Sequence, residues 1–251
     1  MKTLGNKIAL NLNSDAEVNV KGFIAPIEYT QYNFHVEWDE LANLHVVEPE
    51  KQYPTSVFQA FLPSESVSVG ECWEIEKEGV LTLLRQLHPD PRLEMDAEDS
   101  QGLWACLRAY NGEFADIVFR IYAEFALKGG WFTPSQFAGH LVIDRTKDKI
   151  VRFQTHVPET TLNFDVGWDT IGCTDIGFCP QIELYAGTQP EGVEFTMSIA
   201  QEAAKHALIL CFYKSEQINW VPPDQAVEIA EQEVKLIHVI SINGPLADEA
   251  C

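Results

Sequence analysis

Basic residues are scarce in this chain of 251 residues, and their scarcity restricts the partners it can have. Lysine and arginine together number 17 against 38 aspartates and glutamates, which gives a formal net charge of −21. A surface of this sign repels the phosphates of nucleic acid and the headgroups of anionic lipid. We therefore expect neither nucleic acid nor a membrane among its partners. The acidic excess is interpreted as favouring solubility, with a calcium-binding role as the alternative.

Long apolar runs are also lacking. No run approaches the 18 residues that a membrane-spanning helix requires, and residues 1–7 contain no apolar core of a signal peptide. We expect a soluble, cytoplasmic protein.

The common signatures of metal, nucleotide and nucleophile sites are missing as well. The sequence contains no CxxC, P-loop, G-x-G-x-x-G, G-x-S-x-G or calcium-binding EF-hand loop, so we expect neither a metal nor a cofactor. The only cysteines close in sequence, Cys173 and Cys179, are interpreted as half-buried residues flanking a turn. His35 and His45 alternate with apolar residues and are interpreted as strand histidines. In a reducing compartment most of the six cysteines act as small buried apolar side chains.

What is present is a long series of alternating segments over residues 1–195. Alternation of apolar and polar residues is typical of strands with one buried face. The longest predicted strand is 116–127, with its odd-numbered residues in the core, and 141–155 predicts a hairpin. One helix is predicted over 74–87. These features predict a largely antiparallel, β-rich body.

After residue 196 the apolar period becomes helical. Alanines and Cys211 mark one helix, and Pro222-Pro223-Asp224 opens another, for which we predict that Val227, Ala230 and Val234 face inward. The apolar run 236–242 predicts a buried strand. The fold class is therefore α+β: a β-rich body over 1–195, and the first helix and strand elements of a thioredoxin-like α/β unit over 196–251.

Cys251 is the candidate catalytic residue, because a strand, a short loop and a cysteine are how a thioredoxin-like fold presents its redox site. With Asp248 as a helix N-cap, Cys251 falls in the first turn, where free N–H groups favour a thiolate. The acidic neighbours Asp248 and Glu249 oppose this effect, because negative charges raise the pKa of a thiol. The alternative is a terminal cysteine without a role.

Six segments in one order resemble the selenoprotein N family, and the resemblance runs from about residue 56 to the last residue. They are 101–109 (QGLWACLRA), 119–125 (FRIYAEF), 131–140 (WFTPSQFAGH), 162–168 (LNFDVGW), 175–184 (DIGFCPQIEL) and 235–251 (KLIHVISINGPLADEAC). In that family the cysteine matching Cys251 is followed directly by selenocysteine and glycine. The resemblance implies that the chain ends where a UGA codon is taken as a stop. The animal members have a reticulum signal and an EF-hand that are missing here, which implies a bacterial source.

The resemblance implies a thiol/selenol oxidoreductase in which Cys251 belongs to a cysteine–selenocysteine pair. Its partner would be a disulfide-containing protein or a small thiol substrate, and we expect the 251-residue chain alone to be inactive. The aromatic stretch with Trp131, Phe132, Ser135, Gln136 and Phe137 is a candidate approach for the substrate, with a purely structural role as the alternative. The competing function is a non-catalytic protein-interaction module in which the thioredoxin-like part is a scaffold.

Overall fold

A computed structural model describes residues 4–13, 15–93, 102–158, 160–188, 190, 192–212 and 221–237. The strands in these residues are β1 (Leu4–Ile8), β2 (Glu17–Ile24), β3 (Tyr29–Thr30), β4 (Glu50–Pro54), β5 (Val67–Val69), β6 (Cys72–Glu74), β7 (Pro91–Arg92), β8 (Leu103–Tyr110), β9 (Phe114–Ile121), β10 (Glu124–Leu127), β11 (Gly130–Pro134), β12 (Phe137–Asp144), β13 (Lys149–His156), β14 (Phe164–Trp168), β15 (Cys173–Phe178), β16 (Ile182–Gly187) and β17 (Met197–Ser198). The α-helices are α1 (Phe34–Glu37), α2 (Asp39–Ala42), α3 (Lys77–Leu84), α4 (Gln201–Phe212) and α5 (Pro223–Glu233), and Thr55–Phe61 forms a 3₁₀ helix.

The strands pair in two main antiparallel sheets and one small pair. The nine-stranded sheet has the order β17-β8-β9-β12-β13-β16-β2-β4, and β6 also pairs with β8. The six-stranded sheet has the order β3-β15-β14-β11-β10-β7, and β1 pairs with β5. This arrangement confirms the prediction of a β-rich, antiparallel α+β fold.

One hydrophobic core joins the two main sheets. Phe119 and Phe153 of the nine-stranded sheet and Phe132 and Phe164 of the six-stranded sheet belong to it, each at most 1% exposed. Apolar residues of the alternating segments lie together in this core; they include Phe119, Ile121, Phe125, Leu141, Ile143, Phe153, Phe164, Ile182 and Leu184. The predicted hairpin is β12–β13, with Leu141 opposite Phe153.

The predicted long strand 116–127 is two strands. β9 pairs within the nine-stranded sheet, whereas β10 pairs with β11 in the six-stranded sheet, and Tyr122 and Ala123 connect them. The odd-numbered residues are buried throughout, as predicted. The alternation continues across the break because both sheets face the same core, so the sequence pattern does not register the change of sheet.

The opposite face of β8 and β9 is covered by α4. Ala204 and Leu208 of the helix pack with Cys106 and Val118 in a second, smaller cluster. This cover explains why the even-numbered residues Asp116, Val118 and Arg120 of β9 are buried as well.

The second predicted helix of the C-terminal region is present as α5, but the prediction of which residues face inward is wrong. Val227 is 53% exposed and Val234 is 92% exposed. Val234 has left-handed backbone angles (φ 53°) and ends the helix, so it cannot share the helical face of Val227. Of the predicted strand 236–242, Leu236 and Ile237 are exposed and in no strand, and residues 238–242 lie outside the described residues.

Three smaller interpretations are also corrected. His35 lies in α1 and His45 in an irregular segment, so neither is a strand histidine. Cys173 is the first residue of β15 and Cys179 directly follows its last residue, so a strand and not a turn separates them; Cys173 is exposed and Cys179 is buried.

Candidate functional site

Cys251, the predicted catalytic cysteine, lies outside the described residues, and so does Asp248. The five residues of the predicted substrate approach are described. Phe132 and Phe137 are fully buried in the core, and Ser135 and Gln136 are 2% and 4% exposed. Gln136 accepts a hydrogen bond from the guanidinium of Arg120. Among the five, Trp131 is half-buried and therefore the one with a substantial surface for a ligand.

Trp131 lies on the outward face of the six-stranded sheet because β11 alternates. Phe132 points into the core, so its neighbours Trp131 and Thr133 point away from it. Across the ladder, Trp131 is opposite Gly167 and Thr133 is opposite Asp165. A Cβ on Gly167 would lie 2.4 Å from the Trp131 ring, so the indole rests directly on the glycine backbone.

Asp165 is the most perturbed carboxyl on this face. Burial, reinforced by the charge of Glu124, raises the pKa of Asp165 to about 7. Glu124 itself is paired with Arg92 across β10 and β7, with 3.4 Å between Arg92 Nη1 and Glu124 Oε1.

We call Trp131, Thr133, Asp165 and Gly167 the Asp165 face. A carboxyl group whose pKa is near 7 can both accept and donate a proton at neutral pH, which is the property of a general acid or base. The indole beside it offers a flat apolar surface. The Asp165 face therefore places a half-buried indole beside a carboxyl whose pKa burial raises to about 7.

A second polar cluster lies under α4, on the nine-stranded sheet. Arg108 Nε donates to Asp116 Oδ2 at 2.9 Å, and His140 Nδ1 lies 3.5 Å from Asp116 Oδ1. Burial acts to raise the pKa of Asp116, but His140 and Arg108 outweigh it and hold the pKa below its ordinary value. Gln201 of α4 lies 3.4 Å from the outer nitrogen of His140. The cluster fixes the start of α4 on the sheet, a structural role.

Sequence reasoning did not find this cluster or the proximity of three cysteines described below. Both depend on pairing between distant strands. The alternation in 103–110 does place Cys106 and Arg108 on one face, and that was the available signal.

Within the described ranges, no group of three or more histidine, cysteine, aspartate or glutamate side chains has a geometry that could hold a metal ion. None of the described helices is long and apolar enough to cross a bilayer.

Comparison with known proteins gives one family name. The chain is 32% identical to selenoprotein N of Danio rerio over an alignment that covers 68% of this chain and 37% of that protein. It is 27% identical to selenoprotein N of Homo sapiens over an alignment that covers 81% of this chain and 45% of that protein. The Mus musculus protein is also 27% identical, over 81% of this chain and 48% of that protein.

The chain thus spans less than half the length of these relatives. No protein-family model matches it, and no solved structure matches it significantly.

Proposed function

Because this chain belongs to the selenoprotein N family, we propose that it forms the body and the first redox elements of a thiol/selenol oxidoreductase. The observation that carries the proposal is the similarity to selenoprotein N over 68% to 81% of the chain. The relatives are selenoproteins by name, and the proposed redox pair is Cys251 with a selenocysteine directly after it. Residues 196–251 would then supply the N-terminal part of a thioredoxin-like unit.

The proposed reaction is the reduction of a disulfide by two electrons. A selenol is more acidic and more nucleophilic than a thiol, so it makes the first attack: a selenium–sulfur bond forms, the substrate disulfide breaks, and one sulfur leaves as a thiolate. Cys251 then attacks the selenium through its thiolate and releases the second substrate sulfur. The substrate gains two electrons and two protons, and an external dithiol returns the pair to its reduced form.

The Asp165 face is the proposed approach for the substrate. Trp131 offers apolar contact area beside the Asp165 carboxyl, whose pKa is about 7. Both side chains are held by neighbouring strands of the six-stranded sheet. The expected partner is a disulfide-containing protein or a small thiol compound, and the proposed location is the cytoplasm.

The codon after Cys251 tests the proposal first. A UGA codon followed by an open frame that begins with glycine is the expected result. A UAA or UAG codon, or a frame that encodes no further domain, would favour a non-catalytic interaction module instead.

The activity of the extended chain is the second test. The chain read through that codon should accelerate the reduction of insulin disulfides by a dithiol. Cys251→Ser should strongly reduce the acceleration, because release of the substrate from selenium then depends on the external dithiol instead of the neighbouring thiolate. Cys173→Ser is the matched control, since Cys173 is an exposed cysteine on the six-stranded sheet. Equal loss in both variants would contradict a specific role for Cys251.

Trp131→Ala tests the approach surface in the same assay. We expect KM to rise roughly tenfold with kcat little changed, because removing a contact made equally to substrate and transition state weakens binding only. Tyr185→Ala removes a 38% exposed aromatic ring from the other sheet and should leave both constants unchanged. A fall in kcat at unchanged KM for Trp131→Ala would contradict a binding role.

A further inference from the structure

Three cysteines that are distant in sequence meet between the nine-stranded sheet and α4. Cys72 of β6 is directly opposite Cys106 of β8. Both contribute to the small cluster with Ala204 and Leu208 of α4, and Cys211 lies near the end of that helix.

The sheet brings the first two thiols close together. The Leu107 amide donates a hydrogen bond to the Glu71 carbonyl at 3.2 Å. The Ile75 amide donates one to the Leu103 carbonyl at 3.0 Å. Glu71 with Leu107 and Ile75 with Leu103 are therefore hydrogen-bonded pairs of the ladder. In an antiparallel ladder such pairs alternate with non-hydrogen-bonded ones, whose side chains approach more closely. Cys72 and Cys106 form such a closer pair.

Cys211 follows Ala204 by seven residues and Leu208 by three, so it shares the helical face that packs against Cys72. Contact with Cys106 raises the pKa of Cys72 to about 12; contact with Cys211 acts in the opposite sense, and burial adds to the increase. Contact with Cys72, together with burial, raises the pKa of Cys211 well above its ordinary value. The Cys211 thiol also donates to the Ala207 carbonyl at 3.3 Å.

The surroundings distinguish the three thiols. Cys106 is 0% exposed, whereas Cys72 and Cys211 are half-buried. Cys106 lies on a strand that is paired on both sides, with β9 and with β6. Cys211 lies in the last turn of a helix, where a small adjustment can reach the Cα separation of about 4.4–6.8 Å that a disulfide requires.

We propose that Cys72 and Cys211 are an internal dithiol site that exchanges with low-molecular-weight disulfides and closes to a Cys72–Cys211 disulfide. The Cys72 thiolate attacks one sulfur of the small disulfide, a mixed disulfide forms, and the first small thiol leaves. The Cys211 thiolate then attacks the Cys72 sulfur, and the second small thiol leaves. The two cysteines lose two electrons and two protons, which the small disulfide gains as it becomes two thiols.

The high pKa values make the first attack slow at neutral pH, because the thiolate is the nucleophile. The second attack also needs a thiolate, but it is intramolecular, and proximity favours it over attack by a thiol from solution. The site would stay reduced during brief exposure and close under sustained oxidation. Closure would fasten α4, the first helix of the predicted 196–251 unit, to β6 of the body.

Disulfide mapping tests the proposal without relying on the proposed oxidoreductase function. The 251-residue chain with Cys251→Ser is incubated with glutathione disulfide, the free thiols are alkylated, and the proteolytic peptides are identified by mass spectrometry. We expect a linked Cys72–Cys211 peptide pair and two fewer alkylated thiols. The oxidised protein should melt roughly 5 °C or more above the reduced protein, because the bond closes a long loop.

Two variants separate this pairing from the others. Cys211→Ser should abolish both the linked peptide and the rise in melting temperature, whereas Cys173→Ser should change neither. A Cys72–Cys106 link, or a glutathione adduct that remains on Cys72 without closure, would overturn the proposal. The mapping of unaltered Cys72 and Cys211 needs no substitution at the site, so its result stands even where a variant folds poorly. Failure of insulin reduction by the extended chain would leave this result unaffected.

Discussion

At the scale of single residues, two aspartates illustrate how the same side chain acquires opposite properties. The carboxylate of Asp144 accepts bonds from the Thr146 amide and hydroxyl at 3.0 and 2.7 Å and lies 2.8 Å from Lys147 Nζ. Burial acts to raise its pKa, but these donors outweigh burial and lower the pKa to about 2. Asp165 is half-buried opposite Thr133 on the outward face of the six-stranded sheet. Burial and the charge of Glu124 raise its pKa to about 7.

The raised pKa of Asp165 predicts a specific dependence of stability on pH. The folded chain keeps the proton of Asp165 up to about pH 7, whereas the unfolded chain releases it near pH 4. The folded state therefore binds more protons between these values, and the free energy of unfolding falls as pH rises from 4 to 7 and then levels off. Asp165→Asn cannot ionise and removes this contribution, so by pH 8 the variant should exceed the wild type by about 2–4 kcal/mol.

Urea unfolding of both proteins at pH 4, 6 and 8 measures this difference. Asp169→Asn changes the same charge at an exposed position just after β14 and should leave the pH slope as in the wild type. Parallel pH profiles for the wild type and Asp165→Asn would show that Asp165 is ionised at neutral pH.

At the scale of elements, the packing of β12 against β9 requires a glycine opposite an aromatic ring. Gly139 of β12 is opposite Phe119 of β9. A Cβ at Gly139 would lie 2.1 Å from the Phe119 ring and 2.6 Å from the Gln154 carbonyl oxygen. The ring is held by Phe61 and Phe153, with centroids 4.7 and 5.9 Å away, so it cannot move aside.

Gly139→Ala should therefore lower the free energy of unfolding by about 2–3 kcal/mol, through overpacking of the core. Gly112→Ala is the matched control, because a Cβ there meets no atom within 4 Å. Its stability should change by less than about 0.5 kcal/mol, or rise slightly. Chemical denaturation measures both, and equal losses would mean that Phe119 relaxes freely.

At the scale of the whole molecule, the two main sheets share one core. The 3₁₀ helix contributes Phe58 and Phe61 to it, and Phe58 packs against Phe153 with centroids 5.1 Å apart. On the six-stranded side, Phe132 packs against Phe164 at 4.8 Å. If either sheet unfolds, the apolar inner face of the other sheet becomes exposed to water.

This shared core predicts a single cooperative unfolding transition. Tryptophan fluorescence, which includes the Trp38–Trp168 stack beside the six-stranded sheet, and far-ultraviolet circular dichroism should give the same midpoint. Phe132 and Phe153 belong to different sheets. Phe132→Ala and Phe153→Ala should each lower the free energy of unfolding by about 3–5 kcal/mol and move the same single midpoint. Two separate transitions, with only one moved by each substitution, would show that the sheets unfold independently.

The sequence by itself determined the local structure and the family. Alternation located β8, the β12–β13 hairpin and the buried face of β9, because the side-chain period of a strand depends only on the neighbouring residues. Helical spacing located α4 and α5 for the same reason. The segments resembling selenoprotein N agree with the relatives that the comparisons identify.

Only the tertiary structure decided which strands pair and which surfaces are covered. It divided 116–127 between two sheets, exposed Val227, and placed Cys72 beside Cys106 and Cys211. It also raised the pKa of Asp165 and lowered the pKa of Asp144. These properties arise from contacts between residues far apart in the chain, and the charge or burial of a side chain depends on those contacts and not on its neighbours in sequence.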